Sequence, residues 1–274
     1  MEDPLRQAKA KAAATYDAAA DHFDDAPLSF WERIGKQTID RLALSAGAKV
    51  LDVGCGTGAS ALPAAAAVGA KGSVIGVDLS GRLLERARAK AKARGITNVE
   101  LRSADMTSLG YPDAHFDAVV SVFSIFFVPD MEGLVRELWR MVRPGGKLAV
   151  TTWGPRIFEP AYSRWQKAIR LERPDLYSAF NPWDRITDPE AVRRLLRDGG
   201  ATNIEVAAED GFQVLRSAED WWIIALGSGL RWAIEQMGPE AAARIKMDNI
   251  NWLNENKIDR LEANAIYAIA RKPS

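Results

Sequence analysis

Asp52-Val53-Gly54-Cys55-Gly56-Thr57-Gly58 sets a carboxylate and alternating glycines directly behind the apolar pair Val50-Leu51. Glycines spaced in this way let a backbone turn sharply at a strand end and approach a ligand that a Cβ would hold off. Asp78 closes the strand-like stretch Ser73 to Val77, at about the 20-residue separation at which nucleoside-binding α/β folds place a ribose-binding carboxylate. A third acidic position, Asp105, follows the strand-like Val99-Glu100-Leu101-Arg102. These residues together suit the capture of a nucleoside cofactor.

Gly54-x-Gly56-x-x-Ala59 also satisfies the loose dinucleotide fingerprint, so an NAD(P)-dependent oxidoreductase is one reading. Asp52 weighs against it, because a pyrophosphate at this turn would face a carboxylate. Like charges about 4 Å apart repel by roughly 4 kcal/mol at an effective dielectric near 20. A Tyr-x-x-x-Lys catalytic pair is also missing after the fourth strand. S-adenosylmethionine carries an ammonium and a sulfonium beside its adenosine. Three acidic strand ends would offer acceptors for its ammonium, ribose hydroxyls and adenine amino group. A non-catalytic cofactor-binding scaffold is the third reading.

Val50 to Gly58, Val74 to Ser80, Ala104-Asp105-Met106, Phe116 to Ser121 and Val142 to Leu148 occur in this order. In these motifs the chain resembles class I S-adenosylmethionine-dependent methyltransferases, most of all the bacterial type 11 and type 25 group near the ubiquinone and menaquinone C-methyltransferases. The resemblance implies an α/β, Rossmann-like, seven-stranded and mostly parallel sheet with helices on both faces and an antiparallel last strand. An N-terminal helical lid and helical cap insertions are expected around it. For the cofactor it implies Asp52, Gly54, Cys55, Gly56, Asp78, Leu79, Asp105, Met106 and Ser121, with Leu79 on the adenine and the Ser121 backbone near the methionine part. Many relatives carry a histidine where this chain has Phe126, which makes the pocket floor more apolar. Amino-nucleobase methyltransferases place an Asn/Asp-Pro-Pro-aromatic signature after the fourth strand, and Ser121-Val122-Phe123-Ser124 is not one.

These residues need elements to hold them. Ala59 to Val68 reads as a helix behind the glycine turn, and Gly81 to Arg94 as a second one with Leu83, Leu84 and Ala87 on its apolar stripe and its basic residues in solvent. Met131 to Val142 is an amphipathic helix stopped by Pro144-Gly145-Gly146, followed by a fifth strand, Lys147 to Thr152. Further on come helices at Ala161 to Leu171 and Pro189 to Asp198, with a proline-punctuated loop between them from Pro174 to Thr187. Asn203 to Glu209 and Ala263 to Arg271 are the last strands, and a helical insertion from Ala218 to Glu255 separates them.

Residues 1–46 are expected to form the lid, 47–152 the cofactor core and 153–274 the substrate half of one domain. Tyr16 and Trp31 are the lid residues assigned to the cofactor's sulfonium, where aromatic faces add about 0.5–2 kcal/mol. Phe126, Trp153 and Trp183, with Tyr162, Phe180 and Trp222, are candidates for a substrate cavity, and Arg231 for an acidic substrate group. His22 is the one histidine of the lid and a possible base; Cys55 reads as a small turn residue. No residue is assigned as catalytic.

Composition narrows the partners. Lys plus Arg and Asp plus Glu balance at 36 each in 274 residues, so no basic field invites nucleic acid. One cysteine and two histidines make neither a disulfide framework nor a metal cluster. Without an 18-residue apolar span, and with Glu2 and Asp3 where a signal peptide is basic, the expectation is a cytoplasmic protein acting on a small molecule.

Overall fold

The computed structural model describes residues 4–274, with side-chain surroundings from residue 6 onward. Met1 to Asp3, the first residues of the expected lid and of the acidic start, lie outside the described residues. Seven strands form the main sheet: β1 (Lys49–Val53), β2 (Ser73–Asp78), β3 (Val99–Ser103), β4 (Phe116–Val122), β5 (Val142–Trp153), β6 (Ile204–Glu209) and, after two short strands, β9 (Ala265–Arg271). Their order is β3-β2-β1-β4-β5-β9-β6. β1 pairs in parallel with both β2 and β4, and β9 runs antiparallel between β5 and β6.

The central strands are apolar on both faces because helices cover both. Leu51 and Val53 belong to one buried cluster, while Val50, Val74 and Ala118 belong to the other. Such two-sided burial makes the strands near-continuous hydrophobic runs. After β1 the chain builds outward through β2 and β3, then returns to the other side with β4. Ligands of open α/β sheets bind beyond the strand ends at such a reversal, and the Gly54 to Gly58 turn stands there.

The helices are α1 (Pro4–Ala19), α2 (Phe30–Leu42), α3 (Ala61–Val68), α4 (Gly81–Ala93), α5 (Met131–Met141), α6 (Ala161–Glu172), α7 (Pro189–Asp198), α8 (Glu219–Leu226) and α9 (Arg231–Glu255). Asp188 caps α7 by accepting from the N–H groups of Glu190 and Ala191, leaving fewer open donors at its start. The expected insertion from Ala218 to Glu255 is two helices, the second kinked at Gly238 (φ 76°) ahead of Pro239, whose ring cannot continue a regular helix. Among the described residues, no helix is long and apolar enough to cross a membrane.

Three local expectations change. Pro144-Gly145-Gly146 does not precede the fifth strand but lies inside β5, where Phe116 pairs with Val142 and Ala118 with Lys147. An irregularity in the ladder absorbs the extra residues, as bulges do. Pro174 to Thr187 contains two short 3-10 turns, Pro174–Leu176 and Pro182–Ile186. A small antiparallel pair, β7 (Phe212–Val214) with β8 (Arg260–Glu262), brackets α8 and α9; three-residue strands carry too little alternation to be read beforehand.

Candidate active site

The glycine turn is held from behind. The N–H groups of Gly54 and Cys55 both donate to the Val77 carbonyl, at 2.8 and 3.0 Å. Gly54 adopts φ 72° and Gly56 φ 51°, conformations open to glycine with little strain. A Cβ on Gly54 would stand 2.3 Å from the Ser124 Cβ. The Ser124 hydroxyl itself donates to the Val53 carbonyl at 2.6 Å and meets the Ser121 hydroxyl at 2.7 Å. Ser121 therefore serves the turn with its side chain and does not line the cavity in front of it.

That cavity, about 880 Å³, is bounded by Gly54, Cys55, Gly56, Asp78, Leu79 and Met106, with Tyr16, Phe23 and Trp31 of the N-terminal segment across from them. Asp78 accepts from Gly56 N–H on Oδ2 and from Ser80 N–H on Oδ1, each at 2.9 Å. Burial pushes its carboxyl above the ordinary range, partly opposed by these N–H bonds. Cys55 is buried beneath the turn, and burial pushes its thiol well up, with Asp52 and Asp78 adding to the effect; it is a packing residue.

The three aspartates do not share one rim, as the sequence reading expected. Asp52 is 1% exposed and sits under the turn, where its Oδ2 accepts from the Ser60 hydroxyl at 2.6 Å. Its Oδ1 has no hydrogen-bond partner. Burial raises its pKa to about 7, with the nearby Asp78 charge adding to the shift and Ser60 opposing it. Asp105 is engaged by α1: Lys9 Nζ reaches it at 2.6 Å, and the Thr107 N–H and hydroxyl each donate at 2.9 Å. Burial pushes its carboxyl up, but Lys9 and Thr107 outweigh it and hold it low. β3 ends at Ser103, so Ala104 and Met106 face the cavity while Asp105 turns to Lys9.

The basic side of α4 is solvated at Arg82, Arg88, Lys92 and Arg94 and half-covered at Arg86 and Lys90, and it pairs with acidic residues of the N-terminal segment. Arg82, Arg86, Lys90 and Arg94 follow one another every four residues, so they share one helix face. Arg82 bonds Asp21 at 2.6 Å and Arg86 bonds Asp24 at 3.1 Å. Lys90 reaches Asp24 at 2.9 Å and Glu32 at 3.0 Å, and Arg94 reaches Glu32 at 3.1 Å. The Ser80 hydroxyl donates to Asp17 at 2.6 Å. The segment from α1 to α2 is thus buttoned along α4, which brings Tyr16 and Trp31 to the cavity.

Two further cavities continue from the first. An inner chamber of about 430 Å³ is walled by Trp31, Phe123, Phe126, Trp153 and Trp183, and Tyr16 borders it as well. An outer one of about 1190 Å³ extends past Tyr16, Phe126 and Trp183 to Tyr162, Phe180 and Lys11. Tyr16 borders all three spaces; burial, then the Asp78 charge, pushes its hydroxyl up so that it stays neutral. Phe123, which the sequence reading did not single out, holds φ 53° and stacks on Trp153 at 4.0 Å between ring centroids. No side-chain pattern announces that turn.

Other expected residues lie elsewhere. Arg231 begins α9 and bonds Glu235 at 2.6 Å, lining none of the three spaces. Trp222 packs on Trp165 in the core, and His22 pairs with Asp25 at 2.9 Å.

The donor set suits S-adenosylmethionine. Among the described residues, neither lysine, arginine nor histidine lines the first cavity, so the described lining offers a pyrophosphate no cation. Asp78 lines that cavity, and Asp52 lies buried beneath the turn with one unpartnered oxygen; such groups favour a positive ligand.

Residues 50–146 match the methyltransferase domain family. The chain is 33% identical over 144 residues to aklanonic acid methyltransferase DauC of Streptomyces sp. (strain C5), covering 53% of this chain and 66% of that one. It is 28% identical to nocamycin O-methyltransferase of Saccharothrix syringae over 84% of this chain and 86% of that one. To demethylmenaquinone methyltransferase of Anoxybacillus flavithermus it is 36% identical, over 48% of this chain but 58% of that enzyme's length. The YcgJ protein of Bacillus subtilis has the same fold, with a TM-score of 0.61 at 19% identity over 88% of this chain and 99% of that one. With the glycine turn, Asp78 and the seven-stranded sheet in place, residues 50–146 form a methyltransferase domain of the S-adenosylmethionine-dependent kind.

Proposed function

We propose that this chain transfers a methyl group from S-adenosylmethionine to a small, largely apolar or aromatic acceptor at carbon, oxygen or nitrogen. The observation that carries the proposal is the aromatic chamber that opens off the cofactor cavity across Tyr16 and Trp31. The bound cofactor supplies a methyl carbon on a sulfonium, whose thioether leaves neutral and needs no acid.

Asp78 and the backbone of the Gly54 to Gly58 turn hold the nucleoside end, and Asp52 offers negative charge beneath the turn. The aromatic walls orient the acceptor and keep water out. Orientation of this kind can supply several kcal/mol, up to about 7–11. The 1–46 lid and the 153–274 half act as the two covers of this arrangement, with Tyr16 and Trp31 from the first and Trp153 and Trp183 from the second.

Calorimetry with S-adenosylhomocysteine and NADH in parallel is the first test, and a thioether-release assay with aromatic acceptors is the second. Binding of the homocysteine derivative followed by acceptor-dependent thioether release is the expected result. Binding of NADH alone would overturn the proposal.

A further inference from the structure

Both acceptor chambers are rich in hydrogen-bond donors, and the described residues that line them include no carboxylate or imidazole. Their titratable groups are Tyr16, Tyr162 and Lys11. The Tyr162 hydroxyl accepts from Gln166 Nε2 at 2.6 Å and from Asn181 Nδ2 at 3.1 Å, which leaves its own proton to donate. Trp31 Nε1 and Trp183 Nε1, on two walls of the inner chamber, are buried with no hydrogen-bond partner. An unpaired buried donor costs about 1–3 kcal/mol, and a bound oxygen could relieve that cost. At the rim of the outer chamber, Lys11 is exposed and its ammonium stands 3.3 Å from the centroid of the Trp232 ring.

These features discriminate among acceptors. A protonated amine would bring N–H donors and positive charge to walls that already carry donors and a lysine. A weakly acidic phenol or carbon acid would have to lose a proton where no carboxylate or imidazole takes it. An acceptor that arrives as an oxyanion meets neither obstacle. The shared walls Tyr16, Phe126, Tyr162 and Trp183 join the two chambers, so the space continues well beyond a single ring.

Building on the methyl-transfer reading above, we propose that the acceptor is an extended aromatic oxygen acid, bound as its anion. A carboxylic acid or a strongly acidic enol is of this class. Lys11 is the specificity-determining cation at the chamber rim, and the Trp31, Trp183 and Tyr162 donors receive the oxygens within. The acceptor oxygen contributes the electron pair of the new O–CH₃ bond, the pair of the broken S–CH₃ bond stays on sulfur, and the two charges cancel. No proton has to move.

The test uses the full chain saturated with S-adenosylhomocysteine and three probes of one size: naphthoate, naphthamide and naphthylmethylamine. Tryptophan fluorescence reports their affinities at neutral pH. Naphthoate is expected to bind about tenfold tighter than the amide, with the amine weakest. Lys11→Met is expected to reduce the naphthoate preference about threefold while leaving amide binding unchanged, and Lys11→Arg to retain it. Equal or better binding of the amide or amine, or an unchanged preference in Lys11→Met, overturns the inference and leaves methyl transfer standing. A chain that does not bind S-adenosylhomocysteine overturns the functional reading itself.

Discussion

Lys90 and Asp24 meet at 2.9 Å on the edge of the glycine turn, and the Thr57 hydroxyl of that turn donates to the same carboxylate at 2.7 Å. Burial pushes the Asp24 carboxyl up, but Lys90, Thr57 and Arg86 outweigh it and hold it low. The pair is about one-fifth exposed on each side, so solvent screens it only in part. Through it the N-terminal segment is fastened to the residues that surround the cofactor.

Lys90→Met should therefore weaken S-adenosylhomocysteine binding about fivefold, the effect of roughly 1 kcal/mol at a partly buried pair. Affinity in the unmodified chain should also fall as salt rises, and less steeply in the variant. Calorimetry at low and high salt checks both. Equal affinities would mean that the ion pairs along α4 do not hold the lid.

Asp52 makes stability depend on pH in a definite direction. Its folded pKa is about 7, against 3.8 for an ordinary aspartate. Between these values the folded chain keeps a proton that the unfolded chain has lost. Stability is thus full below about pH 4, falls as pH rises, and has lost this contribution above about pH 7, at up to about 1.4 kcal/mol per unit. Asp78 is raised as well and acts with the same sign. Thermal unfolding should show Asp52→Asn with a shallower decline from pH 5 to pH 8 than the unmodified chain.

Cofactor binding should expel part of that proton. A positive ligand near an acid with a pKa of about 7 favours the carboxylate. Calorimetry near neutral pH in buffers of different ionisation enthalpy should report proton release, larger for S-adenosylmethionine than for the uncharged thioether. Identical release for both ligands would place the sulfonium out of reach of Asp52.

Gly54→Ala should fold poorly or fail to bind the cofactor, because its Cβ meets Ser124 at 2.3 Å in a left-handed conformation. Arg231→Met should leave turnover within about twofold, since an exchange at a surface pair alters stability by only about 0–1 kcal/mol. Circular dichroism and thioether release read the two variants.

The cofactor turn and most strands and helices were legible because their signals are local: apolar runs, glycine spacing, caps such as Asp188; the seven-stranded sheet with its antiparallel last strand followed from the resemblance. The chambers were legible only as a list of aromatics. Trp153 and Trp222 look alike in sequence, and long-range packing sends one to the cavity and the other to Trp165. The fate of Asp105 depended on Lys9, distant in the chain, and the four-residue spacing of Arg82, Arg86, Lys90 and Arg94 gave no sign of the acidic partners that would cover it. Phe123 depends on an unusual backbone angle that its side chain does not favour.

β6 touches the sheet through β9 alone, while β9 also seals β5 and, through the Tyr267 hydroxyl, donates to Gln37 of α2 at 2.8 Å. A ribosome still translating residues before Ala265 holds a chain whose sheet has an open seam beside β5. A product clipped before Ala265 should therefore expose strand edges on both β5 and β6.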